Sequence, residues 1–212
     1  MQKIVIASRN RGKISEFREL LAGLPVEILS LVDFPGLPEI LETGSTFREN
    51  ALLKARAVAA ATGSITLADD SGLEVDHIGG APGVHSSRFA GPEQDDEANN
   101  RKLLAALKGV PFHRRTARFR CVIAVVTPWG QEFLSEGLCE GRITFFPRGK
   151  QGFGYDPLFF VPSLGKTFAE LGSGVKNQIS HRARALRLAR KVLVRLLEEK
   201  REEGRDADRD LE

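Results

Sequence analysis

An apolar run that leads into two adjacent carboxylates constrains this chain more than any other stretch. Residues 65–68 (ITLA) have the pattern of a short buried strand, and Asp69, Asp70, Ser71 and Gly72 follow at once. We expect the strand to end there, because loops at strand ends carry chemistry. Successive strand residues point to opposite faces, so a bend at Gly72 would be needed to bring both aspartates into one environment. The alternative is a solvated acidic turn, since Asp-Ser-Gly is common turn chemistry.

The composition is that of a soluble globular protein. With 212 residues, of which 42% are hydrophobic and 28% charged, the chain can bury a sizeable core as one large domain or two small lobes. A net charge of +3 is too small to argue for a nucleic-acid partner. Cys121 and Cys139 are expected to be free thiols in a reducing compartment. No stretch has the pattern of a signal peptide or a membrane span, so we expect a cytoplasmic protein.

A polar loop between a strand and a helix predicts an anion site near the N-terminus. Residues 3–7 have a strand pattern, residues 8–13 (SRNRGK) are small, polar and basic, and an apolar face with Ile14 and Phe17 then predicts a helix. This geometry aims backbone N–H groups and the positive end of the helix at an anion, and Lys13 adds charge. The alternative is an ordinary capped helix start, because the spacing of a P-loop is absent.

The remaining secondary structure alternates strands and helices. Glu42 lies on a loop with no structural role in the pattern, whereas Lys54 could simply be a surface lysine on the helix that follows. The predicted elements are a strand at 26–32, a helix that begins with the capping pattern Thr46-x-x-Glu49, a helix introduced by residues 93–97, and an antiparallel hairpin of 116–127 with 131–138.

Residues 146–157 (FPRGKQGFGYDP) mix glycines, aromatics and charges directly before an apolar run. Glycines let the backbone approach a ligand closely, and Phe153 or Tyr155 could stack on a planar base. Asp156 could read hydrogen-bond donors on the edge of that base. We therefore interpret the stretch as a ligand-binding loop; the alternative is a tight turn with incidental aromatics.

Residues 176–182 (KNQISHR) lead into the last helix, with Ser180 as the expected N-cap. His181 and Arg182 would then lie in the first turn, where basic residues oppose the helix dipole. That local cost indicates an anionic or base-like ligand, although a lone histidine is more often structural.

The carboxylates of the chain, without a Cys/His cluster, favour Mg²⁺ over zinc. Mg²⁺ together with lysines and arginines suits a polyphosphate, and an aromatic with edge-reading side chains suits a nucleobase. The chain is therefore interpreted as a metal-dependent nucleoside triphosphate hydrolase or transferase. No nucleophilic triad is indicated, so we expect water to attack after activation by an aspartate.

A known family carries the same motifs in the same order. They are SRNRGK at 8–13, ETGSTFRENA at 42–51, ADDSGL at 68–73, GGAPG at 79–83, GFGYDP at 152–157 and KNQISHR at 176–182. In these motifs the chain resembles the non-canonical purine nucleoside triphosphate pyrophosphatases, also called inosine triphosphatase-like enzymes or dITP/XTP diphosphatases. The resemblance runs from residue 1 to about 197. One departure is Ser8-Arg9, where many members carry Thr-Gly.

The resemblance implies an α/β fold with a long central mixed β-sheet, flanking helices, and two lobes around an active-site cleft. It implies one domain over residues 1–197, and residues 198–212 are interpreted as a fraying helix end and a disordered charged tail. The implied reaction splits the α–β phosphoanhydride of ITP, dITP or XTP into the monophosphate and pyrophosphate, which cleanses the nucleotide pool. A homodimer and Mg²⁺ are implied as well.

Carried over by position, Asp70 resembles the general base and a metal ligand, Glu42 completes the metal site, and Asp69 is a second catalytic candidate. Arg182 and His181 would donate to the 6-oxo group of inosine or xanthine, whereas the 6-amino group of adenine would place donor against donor, at a cost of roughly 1–3 kcal/mol. The implied phosphate and ribose cradle comprises Ser8, Arg9, Asn10, Arg11, Gly12 and Lys13, with Ser71 and Lys176. The implied base pocket comprises Phe153 as the stacking residue, with Gly154, Tyr155, Asp156, His181 and Arg182.

Two other functions compete with this interpretation. A related Maf-like scaffold would hydrolyse ordinary or modified pyrimidine nucleotides, but the blocks 153–156 and 180–182 argue against it. A nucleic-acid-binding module would use the basic C-terminal helix, yet no aromatic residue lies between Arg182 and Arg209 to stack on bases.

Overall fold

A mixed seven-stranded sheet organises the computed structural model, which describes residues 2–38 and 40–209. The spatial order of its strands is β2-β1-β3-β4-β5-β6-β7. β1 and β2 are parallel to each other, β1 is parallel to β3, and the remaining pairs are antiparallel. In chain order the strands are β1 (Gln2–Ile6), β2 (Val26–Ser30), β3 (Ile65–Val75), β4 (Thr116–Val126), β5 (Glu132–Ile143), β6 (Phe159–Val161) and β7 (Lys166–Thr167).

Helices cover both faces of this sheet. They are α1 (Arg11–Leu20), α2 (Phe47–Thr62), α3 (Asp96–Ala106), α4 (Ser173–Ile179) and α5 (His181–Arg209). The side-chain hydroxyl of Ser180 accepts a hydrogen bond from the N–H of Ala183 (3.1 Å), so the expected cap of α5 is present. Among the described helices, none combines the length and apolar composition that a membrane span requires.

Alternation along β3 decides which helices pack on each face of the sheet. Ile65 and Leu67 lie in a fully buried cluster with Phe17 of α1 and Leu193 of α5. Ala68 points the other way, into a cluster with the apolar residues of α2. Each large side chain buried in this way contributes about 1.5–3 kcal/mol. A third cluster packs around Phe159, where β4, β5 and α3 meet.

The predicted fold class is confirmed: this is an α/β fold with a mixed sheet and flanking helices. The hairpin of β4 and β5 pairs from Thr116 with Arg142 to Val126 with Glu132. The division into two lobes and the domain limit at residue 197 stay predictions.

The predicted end of the strand at Asp69 is wrong. β3 continues to Val75 because it pairs with β4 over its whole length, and Gly72 lies opposite Arg120 in a regular register. The reason for a glycine at position 72 is a close approach, since an added Cβ would lie 2.5 Å from the hydroxyl of Ser86. No local pattern contains that long-range pairing.

The charged C-terminal segment also differs from the expectation. α5 continues as a helix through Glu198 to Arg209, where the sequence predicts a fraying end and a disordered tail. Lys, Arg and Glu have high intrinsic helix propensity, so the segment can extend a helix that is already nucleated by packing. Residues 210–212 of the expected tail lie outside the described residues.

Candidate active site

The candidate site lies where two strands of the sheet stop and their neighbour continues. β1 ends at Ile6, opposite Leu67, whereas β3 runs eight residues further to Val75. The edge of β3 beyond Leu67 therefore faces a cleft of about 680 Å³ rather than another strand. Crevices at the carboxyl ends of parallel strands are common ligand sites in α/β sheets. The cleft is lined by most of the predicted site residues: Ser8, Arg9, Asn10, Lys13, Glu42, Asp69, Asp70, Ser71, Phe153, Gly154, Tyr155, Asp156, Lys176, His181 and Arg182.

Asp69 is held as an anion by two cations. Its Oδ2 lies 2.9 Å from Lys13 Nζ and 3.5 Å from Arg182 Nε, and it accepts a hydrogen bond from Ser71 Oγ (3.1 Å). Burial by itself would raise the pKa of Asp69, but the charges of Lys13 and Arg182 outweigh it and hold the pKa well below its usual range. A carboxylate with so low a pKa is a counter-ion and a poor proton acceptor.

Asp70 points to the opposite face of β3, toward α2. Its Oδ2 accepts a hydrogen bond from Asn50 Nδ2 (3.0 Å), and its Oδ1 lies 4.0 Å from Lys54 Nζ. Burial, together with the negative charge of Glu42, raises the pKa of Asp70 to about 6, although Lys54 and Asn50 act in the other direction. A group with a pKa near the working pH is suited to general-base catalysis. The bend that the sequence analysis required is unnecessary, because both faces of β3 open to the cleft.

Lys54 is a buried site residue and not the surface lysine that the sequence suggested. It is 9% exposed, and its Nζ donates to Glu42 Oε1 (2.5 Å) and to the carbonyl oxygen of Asp69 (2.6 Å). Burial lowers the pKa of Lys54, but Asp69, Asp70 and Glu42 raise it by more, so the ammonium stays charged. A polar pair at i, i+4 on the apolar stripe of α2, Asn50 and Lys54, is the signal that could have revealed it.

Glu42 and Asp70 provide a donor set that suits Mg²⁺. Both carboxylates flank the ammonium of Lys54, and the charge of Glu42 is one cause of the raised pKa of Asp70, so this corner of the cleft is electronegative. Within residues 2–38 and 40–209, no three His, Cys, Asp or Glu side chains converge as a metal cluster. Mg²⁺ is commonly held by one or two carboxylates and completes its shell with water and phosphate oxygens, so two protein ligands are sufficient.

The loop between β1 and α1 is preorganised by its own side chains. Ser8 Oγ accepts from the N–H of Asn10 (3.1 Å), and Asn10 Oδ1 accepts from the N–H of Lys13 (3.0 Å), which caps α1. Arg9 donates to the carbonyl oxygens of Leu31 (2.9 Å) and Leu37 (2.8 Å). Its guanidinium therefore fastens the segment that leads to Glu42.

Arg11 and Gly12 belong to the first turn of α1 and are not among the residues that line the cleft. Gly12 lies against the ring of Phe153, since an added Cβ would be 2.9 Å from Phe153 Cε1. This contact joins the predicted phosphate loop to the predicted base loop.

A buried ion-pair network also lines the cleft. Lys176 Nζ lies 2.7 Å from Asp156 Oδ2 and 3.2 Å from Glu16 Oε1. Glu16 also pairs with Arg182, whose Nη2 donates to Ser71 Oγ (3.1 Å). Burial raises the pKa of Asp156 despite the opposing charge of Lys176. The sequence interpretation missed Glu16, because a glutamate beside the apolar residues of a helix has no local mark of burial.

The two aromatic candidates of the glycine-rich loop have different environments. Tyr155 is buried in the cluster around Phe159, and its hydroxyl donates to the carbonyl oxygen of Ser86 (2.9 Å). Phe153 is half-buried at the cleft, with Lys176 Nζ 4.9 Å from the centroid of its ring. Tyr155 therefore anchors the loop, and Phe153 is the more exposed of the two rings.

His181 is a buried residue that lines the cleft. Its ring stacks on Phe119 with centroids 4.7 Å apart. Burial and the nearby charge of Arg182 lower the pKa of His181 well below its ordinary value. Its Nδ1 is buried and has no hydrogen-bond partner among the described residues, so a ligand group would find an unpaired nitrogen there.

Comparisons with known proteins match this chain along most of its length. A family model described as the Ham1 family matches residues 4–192. A protein of Desulforamulus reducens named dITP/XTP pyrophosphatase is 54% identical over 194 residues, which cover 92% of this chain and 96% of that protein. A Bacillus subtilis protein of the same name is 50% identical and covers 91% of this chain and 98% of that protein.

Solved structures agree with the sequence comparisons. A HAM1 protein from Coxiella burnetii has a TM-score of 0.84 and 46% identity, and covers 92% of this chain and 100% of that chain. The Staphylococcus aureus Ham1 protein has a TM-score of 0.82 and 42% identity, and covers 91% and 98%. The resemblance that was predicted from the motifs is confirmed. Since the family model and these relatives both align with most of the chain, the chain belongs to the Ham1 family.

Proposed function

We propose that this chain hydrolyses ITP, dITP and XTP to the nucleoside monophosphate and pyrophosphate. The relatives named dITP/XTP pyrophosphatase support the reaction and the substrate class. The observation that carries the proposal is a single cleft that is lined both by Asp70, a buried carboxylate of raised pKa, and by the ring of Phe153. Such a cleft suits a ligand with both a polyphosphate and a planar base.

The phosphate end would use the cations around β3. Lys13 and Lys54 approach Asp69 and Asp70 from α1 and α2, so each aspartate lies beside an ammonium group that can bind phosphate oxygens. Glu42 and Asp70 would hold Mg²⁺, which when bound neutralises charge on the polyphosphate. The paired cations keep this end of the cleft from repelling a tetraanionic substrate.

Asp70 would accept the proton of the attacking water. The oxygen of that water forms a bond to the α-phosphorus while the α–β bridging oxygen leaves with pyrophosphate, so one water yields the two products. Asp69 is a weak candidate for this role because Lys13 and Arg182 hold it ionised. Asp69 instead would keep Lys13 and Arg182 in place. General-base assistance of this kind contributes about 10²–10⁴ to the rate.

The base end would bind the purine against Phe153. The unpaired Nδ1 of His181 and the remaining N–H groups of Arg182 are the polar atoms available to read the 6-position. Three nitrogens of Arg182 already contact Glu16, Asp69 and Ser71, so Arg182 can offer the base only the N–H groups that these contacts leave free. A 6-oxo group would satisfy a donor there, whereas a 6-amino group would leave it unpaired.

Other parts of the proposal rest on the sequence. The homodimer and the limit of the domain at residue 197 follow from the family resemblance, and the dependence on Mg²⁺ follows from the resemblance and from the carboxylates. The cytoplasmic location and the lack of a nucleic-acid partner follow from the composition and the sequence pattern.

Release of pyrophosphate from a panel of triphosphates tests the proposal. The panel contains ITP, dITP, XTP, ATP, GTP, dTTP and UTP, each assayed with Mg²⁺ and with EDTA. We expect rapid Mg²⁺-dependent release from the first three and slow release from ATP and GTP. Preference for a pyrimidine would move the assignment to the Maf-like alternative, and no release from any substrate would contradict the proposal.

A further inference from the structure

In the loop that carries Phe153, the backbone N–H and C=O groups of both Phe153 and Gly154 are hydrogen-bonded. The N–H of Phe153 donates to Asp156 Oδ2 (3.1 Å), and its C=O accepts from the N–H of Asp156 (3.3 Å). The N–H of Gly154 donates to Asp96 Oδ2 (2.7 Å), and its C=O accepts from Asn100 Nδ2 (3.0 Å). The first two bonds are local, whereas the last two come from α3, 58 and 54 residues away in sequence.

Gly154 depends on these partners from α3. Its φ of +62° is left-handed, so neither a helix nor a strand satisfies its backbone groups. Asp96 and Asn100 lie four residues apart and therefore project from the same face of α3. One of them binds the N–H and the other binds the C=O of a single residue. These two hydrogen bonds together fix the rotation of the Gly154 backbone as well as its position.

The hydrogen bonds from Asp96 and Asn100 to Gly154 constrain where the ring of Phe153 lies. The ring has Lys176 Nζ at 4.9 Å and the guanidinium carbon of Arg182 at 5.6 Å from its centroid. On another side it contacts Gly12 so closely that an added Cβ would lie 2.9 Å from the ring. A small rotation at Gly154 would push the ring into α1 or take it away from the two cations. Asp96 itself lines the cleft beside Gly154.

We propose that Asp96 and Asn100 are positioning residues for the base-binding end of the cleft. They hold the Phe153–Gly154 backbone in the one arrangement in which the ring presents a face to the purine. This inference rests on the proposed function, in which Phe153 stacks on the base. The proposed function assigns the hydrolytic step to Asp70 and Glu42, which pair with Asn50 and Lys54 of α2. We therefore expect the two α3 side chains to affect the recognition of the base and not the hydrolytic step.

Variants of Asp96 and Asn100 separate this role from a general effect on folding. Asp96→Ala removes the acceptor for the N–H of Gly154, and we expect KM for ITP and XTP to rise about five- to tenfold, as for one lost hydrogen bond of ordinary strength, with kcat within about twofold. Asp96→Asn keeps an oxygen acceptor and should restore most of the affinity. Asn100→Ala should act in the same direction as Asp96→Ala. Glu97→Gln is the matched control, since Glu97 is an exposed neighbour that pairs with Arg101 at 3.4 Å.

Inhibition by inorganic pyrophosphate distinguishes an effect on base binding from a general loss of structure, because a general loss would weaken the binding of pyrophosphate as well. Pyrophosphate has no base, so its inhibition constant should stay unchanged in Asp96→Ala and Asn100→Ala while KM for the nucleotide rises. An equal rise of both constants, or an unchanged KM in a folded variant, would overturn the inference. If Asp96→Ala does not fold, Asn100→Ala provides the same two readouts.

Hydrogen exchange at the amide of Gly154, followed by NMR, tests the hydrogen bond from Gly154 to Asp96 without any assay of activity. We expect faster exchange in Asp96→Ala than in the wild type or in Glu97→Gln. Equal exchange in all three would contradict the claim that Asp96 holds the backbone of Gly154. If the wild type hydrolysed no triphosphate, the proposed function would be wrong. The exchange experiment would still test whether Asp96 holds the backbone of Gly154, because it does not depend on activity.

Discussion

The ammonium of Lys54 lies 2.5 Å from the carboxylate of Glu42, inside a cleft that also contains Asp70. This pair joins α2 to the loop before it and places a permanent positive charge beside two carboxylates. Burial and Glu42 raise the pKa of Asp70 and Lys54 lowers it, so the lysine increases the ionised fraction of Asp70 near neutral pH.

Replacement of Lys54 by methionine should reduce kcat by about 100-fold, as for the loss of one preorganised electrostatic group. The pKa of Asp70 should also rise, so the acid limb of the pH–rate profile should move to higher pH. Arg56→Met is the control, since Arg56 lies on the same helix and pairs with Glu132 at the surface. An acid limb at the wild-type position would contradict the role of Lys54.

Asp70→Asn should abolish turnover while the fold stays intact, with a fall of about 1000-fold or more for the loss of a general base. Circular dichroism and pyrophosphate release measure the two properties. Substantial turnover in a folded Asp70→Asn variant would remove Asp70 from the mechanism.

The same substitution should change the pH dependence of stability in EDTA. The pKa of Asp70 is about 6 in the folded protein and 3.8 as its model value, so the folded state binds more protons between these limits. The wild type should therefore lose about 3 kcal/mol of unfolding free energy from this group as the pH rises through that window. Asp70→Asn lacks this loss, and urea unfolding between pH 4 and 7.5 should show the two curves diverge. Parallel curves would contradict a raised pKa of Asp70.

Asp69→Asn should act chiefly on stability. It leaves Arg182 and Lys13 without their shared buried carboxylate, and removal of one partner of a buried pair costs about 3–5 kcal/mol. Asp76→Asn is the control, because Asp76 pairs with Arg118 at 2.8 Å on the exposed surface and should cost about 1 kcal/mol or less. Equal losses of unfolding free energy in the two variants would contradict the buried role of Asp69.

Gly72→Ala should destabilise the fold by about 1–3 kcal/mol through overpacking. Its Cβ would meet the carbonyl oxygen of Gly83 and the hydroxyl of Ser86, and a backbone atom cannot move aside cheaply. Gly36→Ala is the control, since none of the described residues lies within 4 Å of the added Cβ there. Thermal unfolding measures the difference, and a Tm equal to that of the control would show that β3 can shift at this point.

Local sequence determined the features that depend on neighbours along the chain. The apolar face with Phe17, the capping of α5 by Ser180 and the alternation of β4 and β5 all follow from periods of 3.6 or 2 residues and from short polar signals. The motifs also identified the family, because they keep their order along the chain. Most of the residues that the motifs point to line one cleft.

Tertiary structure alone decided the environment of each of those residues. Asp69 and Asp70 are chemically identical neighbours, yet β3 sends one toward the cations of α1 and α5 and the other toward α2, so their pKa values move in opposite directions. The burial of Lys54 and the bridge that Glu16 makes between Lys176 and Arg182 depend in the same way on elements far apart in sequence. Burial and charge act through space, and the fold alone brings the charges within a few ångströms of each other.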